Sequence, residues 1–280
     1  MLNSGALSVT LTDSRDQPIF EPGPGETPIW NEVTVVGLYD IETNPAYLRN
    51  TLENNLPDVA ADHIDIATLE DQDWERAWMV DFKPMCFANR FWVCPTGFDV
   101  DAPDGVIMEL DPGLAFGTGT HPTTAMCLEW LAGHDIKGMT MIDYGCGSGI
   151  LGIAALLLGA DHIYGVDNDP QALLATHDNC GKNHLNVDRF PCYLPADFAQ
   201  ALTRGEVSQV DMMLANILAG PLVSLAQYLA AMVRPGGGIL LSGILREQAD
   251  EVASAYSPWF DMAPPVFQED WTRLEGQRKP

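Results

Sequence analysis

The sequence predicts an α/β fold, a mostly parallel sheet flanked by helices, preceded by a small α+β domain. Three observations carry that prediction. Residues 141–169 (MIDYGCGSGILGIAALLLGADHIYGVDND) read as strand, glycine turn, apolar helix and second strand. Residues 210–215 and 239–242 are near-continuous apolar runs, as strands buried on both faces require. The first 70 residues instead combine short alternating strands with one helix, a different pattern and hence a separate domain.

In chain order, residues 6–12 (ALSVTLT) alternate as a half-buried strand does, and a polar Pro/Gly-rich stretch at 20–28 follows. Residues 30–39 give a second strand, 45–55 a helix and 64–69 a third strand. Strand, strand, helix, strand is most of an α+β sandwich, with an opening strand and helix lacking. The segment 73–82 (DWERAWMVDF) is expected to be helical, capped by Asp73 and stopped at Lys83-Pro84, with Trp74 and Trp78 as a packing face. Residues 91–94 form another strand and 96–105 a polar loop. The expected organisation is an N-terminal domain over 1–70, a helical linker over 71–95 and a main domain over 96–280.

Residues 106–110 lead as a strand into a loop, 111–124, dense in small residues around Phe116 and His121; Pro122 is placed to start a helix. Its structural reading is a cap with a compact turn. Its functional reading is a backbone shaped around a ligand, with threonine hydroxyls on offer. Beyond the glycine turn, 150–158 is apolar on every face, and Asp169-Pro170 caps a helix reaching about 183. Residues 188–197 carry no clear signal. The strand at 210–215 ends at Asn216, a helix spans 221–233, a turn 234–238 and a strand 239–242. Residues 247–256 read as a helix and 271–276 as a closing strand.

The 280 residues (30.5 kDa, 46% hydrophobic, mean hydropathy −0.01) suit a globular chain with a substantial core, and no apolar run reaches the roughly 18–20 residues of a membrane span. Residues 1–17 lack the basic start and apolar core of a secretory signal. Six cysteines (86, 94, 127, 146, 180, 192) form no C-x-x-C pair, so a reduced, cytoplasmic protein without structural zinc or another metal site is expected. A net charge of −25 repels nucleic-acid phosphates and membrane surfaces of the same sign, and favours a basic partner where it does more than keep the chain soluble.

The chemistry centres on the glycine turn. Dinucleotide sites read G-x-G-x-x-G and place a pyrophosphate on the helix N-terminus. Here the spacing is G-x-G-x-G over Gly145, Gly147 and Gly149, and Asp143 stands two residues before it, where it opposes a phosphate. A carboxylate there suits a cationic amino-acid end, while Asp167, ending the next strand, suits ribose hydroxyls. S-adenosylmethionine (SAM) has both groups and no phosphate. The competing readings are a turn that only packs helix on strand, and a dinucleotide site. Cys146 within the turn has no activating histidine nearby in sequence and reads as packing.

LDPGLAFGTGTHPTT (110–124), the turn at 143–149, Asp167 and ANILAGPL (215–222) together resemble the ribosomal protein L11 methyltransferase family, as do Trp74-Glu75-Arg76-Ala77-Trp78, Ser242-Gly243-Ile244-Leu245 and the tryptophan near the C-terminus. The resemblance implies a Rossmann-like class I methyltransferase domain with a mostly parallel seven-stranded sheet, joined to a small N-terminal domain that recognises the ribosomal protein. It also implies SAM-dependent methylation of the N-terminal α-amino group and of lysine ε-amino groups of L11. By that resemblance Thr124, Gly145, Asp167 and Asn216 are SAM contacts; Asp143 and Gly147 join them on the charge argument. Asn216 is the candidate for positioning the amine and His121 the candidate base. The alternatives are a SAM-dependent methyltransferase of another protein or small molecule, and a non-catalytic SAM-binding protein.

Overall fold

The computed structural model describes residues 1–15, 27–57, 59–69, 83–103, 105–111 and 119–280. The helix expected at 73–82 and half of the loop at 111–124, including Phe116 and Thr118, lie outside them. The chain divides into two compact units, Met1–Asp73 and Trp74–Pro280.

In the first unit, β1 (Ser8–Asp13) and β2 (Val33–Leu38) pair antiparallel, and α1 (Pro45–Asn55) starts where the Asn44 side chain accepts from the Ala46 and Tyr47 amides. Leu48 and Leu52, one turn apart, are its buried face. No strand forms at 64–69, contrary to expectation. The apolar run there finds no ladder, and the Ile64 carbonyl accepts from the Arg49 guanidinium at 2.8 Å instead.

The second unit contains two sheets. The smaller joins β3 (Met85–Phe87), β4 (Phe91–Cys94) and β5 (Val106–Glu109). The larger comprises β6 (Thr140–Tyr144), β7 (His162–Val166), β8 (Cys192–Tyr193), β9 (Val210–Asn216), β10 (Val233–Leu245), β11 (Phe260–Met262), β12 (Val266–Gln268) and β13 (Trp271–Arg278). Its order is β11-β13-β10-β9-β6-β7-β8, with β12 on β13. The β8-β7-β6-β9-β10 run is parallel, and β13 enters antiparallel beside β10. The sheet thus has eight strands rather than seven, because the short β12, too brief to register as a pattern, adds to the edge.

The helices are α2 (Pro122–Gly133), α3 (Ile150–Leu157), α4 (Pro170–Lys182), α5 (Pro195–Thr203), α6 (Ala219–Met232) and α7 (Ala249–Tyr256). Proline opens α2, α4 and α5, where its missing N–H costs nothing. α3 is buried over seven of its eight residues, Ile150 to Leu156, as its uniform apolarity predicts, and the core divides into two apolar clusters. The predicted turn at 234–238 is instead the irregular start of β10, where pairing with β9 shifts register between Val233 and Gly238. Strand order reverses between β7 and β9 around the central β6. That is where open α/β sheets form a crevice at their carboxyl ends.

Candidate active site

The crevice is built from the ends of β6, β7 and β9 and the start of α2. The turn leaves β6 at Tyr144 and lies against β7, with the Gly145 and Cys146 amides donating to the Val166 carbonyl at 2.7 and 3.1 Å. Gly145, at φ +82°, could not carry a side chain: a Cβ there would overlap Ile217 Cγ2. Gly243, at φ +82° in β10, meets the backbone of the same residue, and a Cβ there would overlap the Ile217 carbonyl oxygen. Gly145 of the turn and Gly243 of β10 therefore fix the chain just after Asn216.

Behind the turn, α4 braces its carbonyls. Thr176 Oγ1 donates to the Gly147 carbonyl at 3.0 Å and Asn179 Nδ2 to the Ser148 carbonyl at 2.9 Å. The sequence signal for these residues was available, since polar side chains three apart on a buried helix face need partners. Gly145 and Gly147 remain half-buried on the rim, whereas Cys146 is buried behind it with its thiol pKa raised, chiefly by hydrogen bonding with Cys192 and by burial.

Asp143 is 1% exposed and lies under the turn. Its Oδ2 accepts from the Gly152 amide at 3.0 Å, so it satisfies an N–H of the first turn of α3 that Gly149, the N-cap, has no side chain to reach. Burial pushes its pKa up to about 7; the Gly152 hydrogen bond opposes the rise and the Asp167 charge adds to it. Asp167 is half-buried and joins the two strand ends: Oδ2 accepts from the Gly147 amide at 2.9 Å and Oδ1 from the Asp169 amide at 3.0 Å. A carboxylate has about four lone-pair sites, so Asp167 retains acceptor capacity toward the crevice.

On the opposite side, Thr124 in the first turn of α2 is fully buried and its Oγ1 accepts from Asn216 Nδ2 at 3.2 Å. Asn216 Oδ1 is buried and has no hydrogen-bond partner among the described residues. His121 is the N-cap of α2. Its Nδ1 meets Thr123 Oγ1 at 2.7 Å and accepts from the Thr123 amide at 3.4 Å, and its ring contacts Trp271 edge-on. Burial lowers the His121 pKa, with Glu269 opposing. Thr124 and Asn216 are therefore brought together, as are Gly147 and Asp167. Asp143 is held below them, and His121 stands at the outer end beside Trp271. The roles of Ile217, Gly243 and Trp271 escaped sequence reasoning because each depends on which strands are neighbours.

The ribosomal protein L11 methyltransferase (PrmA) family model matches residues 1–279. The chain belongs to that family. It is 51% identical to the ribosomal protein L11 methyltransferase of Marinobacter nauticus, over 100% of this chain and 92% of that protein, and 52% identical to its namesake in Methylococcus capsulatus, over 100% and 93%. The crystal structure of ribosomal protein L11 methylase from Lactobacillus delbrueckii subsp. bulgaricus, 27% identical, superposes with a TM-score of 0.62 over 71% of this chain and all of that one. The large sheet is accordingly a class I methyltransferase fold, and membership of this family makes the chain a methyltransferase.

Proposed function

We propose that this chain transfers methyl groups from SAM to amino groups of ribosomal protein L11, at its N-terminal α-amine and at lysine ε-amines. Names of relatives about half identical over the full chain support the substrate, and the crevice supports the donor. The residues fit SAM on three counts. The glycine rim admits close backbone approach, Asp167 has acceptor capacity for ribose hydroxyls, and no cationic side chain is among the residues placed here to hold a phosphate. Gly145 and Gly147 would line the donor, with Thr124 and Asn216 closing the far side. Asp143 would supply negative charge beneath the donor's ammonium end.

Bound SAM supplies an electrophilic methyl carbon on a sulfonium: a neutral amine forms an N–C bond as the C–S electron pair stays on sulfur, and the nitrogen then loses one proton. An amine with a pKa of about 8–10 must therefore arrive deprotonated, which a desolvated site favours. The observation that carries the amine assignment is Asn216 Oδ1, buried and without a hydrogen-bond partner among the described residues. Thr124 fixes the amide nitrogen, leaving the oxygen to accept an N–H and aim the lone pair. His121 caps α2 through Nδ1 and stands outside this pair, so positioning rather than base catalysis is its part.

With a net charge of −25, complementary charge would speed encounter with a basic ribosomal protein. Among the described residues no helix is long and apolar enough to cross a membrane, and the six cysteines are free thiols; together with a ribosomal substrate these support a cytoplasmic setting. The test is intact-mass measurement of purified L11 incubated with the chain and SAM. Mass gains in 14-dalton steps are expected on L11, and unchanged L11 refutes the reading.

A further inference from the structure

His121 and Trp271 are not among the donor contacts proposed above. Their rings meet edge-on, with centroids 4.7 Å apart and planes at 69°. Two independent paths connect this pair to Asn216. Through α2, Asn216 bonds Thr124, which lies one helical turn from His121. Through the sheet, Asn216 is in register with Ser242 of β10, Ser242 Oγ donates to the Thr272 carbonyl at 3.2 Å, and Trp271 opens β13 opposite Leu245. Trp271 thus lies two strands across from Asn216 and three β10 residues further along, roughly 12–14 Å between backbones. Its indole is half-buried, with one flank on His121.

Methylation erodes what Asn216 can hold. A neutral primary amine brings two N–H hydrogens and a monomethylamine one, but a neutral dimethylamine has none and cannot donate to Oδ1. Any further transfer needs a wall that orients the nitrogen without a hydrogen bond, and an indole face serves both neutral and cationic methylated nitrogens. We propose that Trp271, buttressed by His121, is that wall, so that this ring pair sets how many methyl groups each amine receives. Because burial lowers the His121 pKa, the buttress is uncharged at neutral pH and does not repel a methylated ammonium. The inference rests on the amine-methylating reading above.

The experiment follows L11 by intact mass through successive transfers with wild type, Trp271→Ala and Trp271→Phe, alongside calorimetric SAM affinity. In Trp271→Ala the ratio of third-transfer to first-transfer rate is expected to fall at least tenfold, with dimethyl product accumulating. Trp271→Phe, which keeps a ring, should recover that ratio to within about threefold. Equal loss at every step in Trp271→Ala, as a merely structural role produces, overturns the inference, and so does an unchanged ratio. Wild type that leaves L11 unmethylated overturns this inference together with the function it rests on, and that arm separates the two failures.

Discussion

Asp143→Asn tests whether the carboxylate under the glycine turn trades stability for donor binding. The buried carboxyl has a pKa near 7 against an ordinary 3.8. Between those values the native state keeps a proton that the unfolded chain releases, so stability falls as pH rises through that window. The full span corresponds to roughly 4 kcal/mol, of which roughly 3 kcal/mol is lost between pH 5 and pH 8. Asparagine does not titrate and keeps an oxygen for the Gly152 amide. Moving from pH 5 to pH 8, the variant should gain on wild type by about 6–12 °C in the melting temperature of the catalytic unit. Differential scanning fluorimetry at several pH values reads this directly. SAM affinity should move the other way, falling about 10- to 100-fold at pH 8, since a charged partner contributes some 1.5–3 kcal/mol. In wild type the affinity should weaken as pH drops through 7. A melting difference that ignores pH would show that Asp143 has no displaced titration. Undiminished SAM binding by the variant at pH 8 would sever the carboxylate from the donor.

Asn216→Ala should lower kcat on L11 by about 30- to 150-fold, the cost of a lost acceptor of 2–3 kcal/mol, and turnover within twofold of wild type would remove the amide from the mechanism. Gly145→Ala forces a Cβ into Ile217 at a left-handed φ, so SAM binding should be lost in calorimetry, and Gly145→Ala/Ile217→Ala should recover part of it; no recovery would place the defect in backbone strain alone. KM for L11 should rise several-fold from 50 to 200 mM salt with kcat little changed, whereas a flat KM would detach the acidic surface from substrate encounter. His121→Ala removes the α2 cap and should cost about 1 kcal/mol by chemical denaturation, with Asn restoring most of it.

The parts of the fold that were legible in the sequence are those specified locally. The turn at 145–149, the apolar α3, the Asp169-Pro170 start of α4 and the interior strand β9 each carry their own pattern, and each forms within a residue or two of expectation. Residues 64–69 have the composition of a strand but pair with none of the described strands, and composition cannot report a missing ladder. The edge strands β11 and β12 are three residues each, shorter than one repeat of any pattern.

The site divides along the same line. Asp143, Gly145, Gly147 and Asp167 belong to one β-turn-α-β unit, so their proximity follows from sequence order. That order could not tell a carboxylate facing the crevice from one buried beneath it. Solvent separates the two: Asp167 is half-buried and holds Gly147, whereas Asp143 is sealed under the turn and caps the next helix. The acceptor half comes instead from α2, β9, β10 and β13, up to 150 residues apart, and exists only once the strand order sets β9 and β10 side by side. Ile217 shows what that order does. Its side chain covers Gly145 and its backbone lies on Gly243, so the donor turn and the acceptor strand share one residue as their spacer. A change at Ile217 should therefore disturb methyl transfer more than it disturbs the binding of either reactant, because it alters only the distance between them.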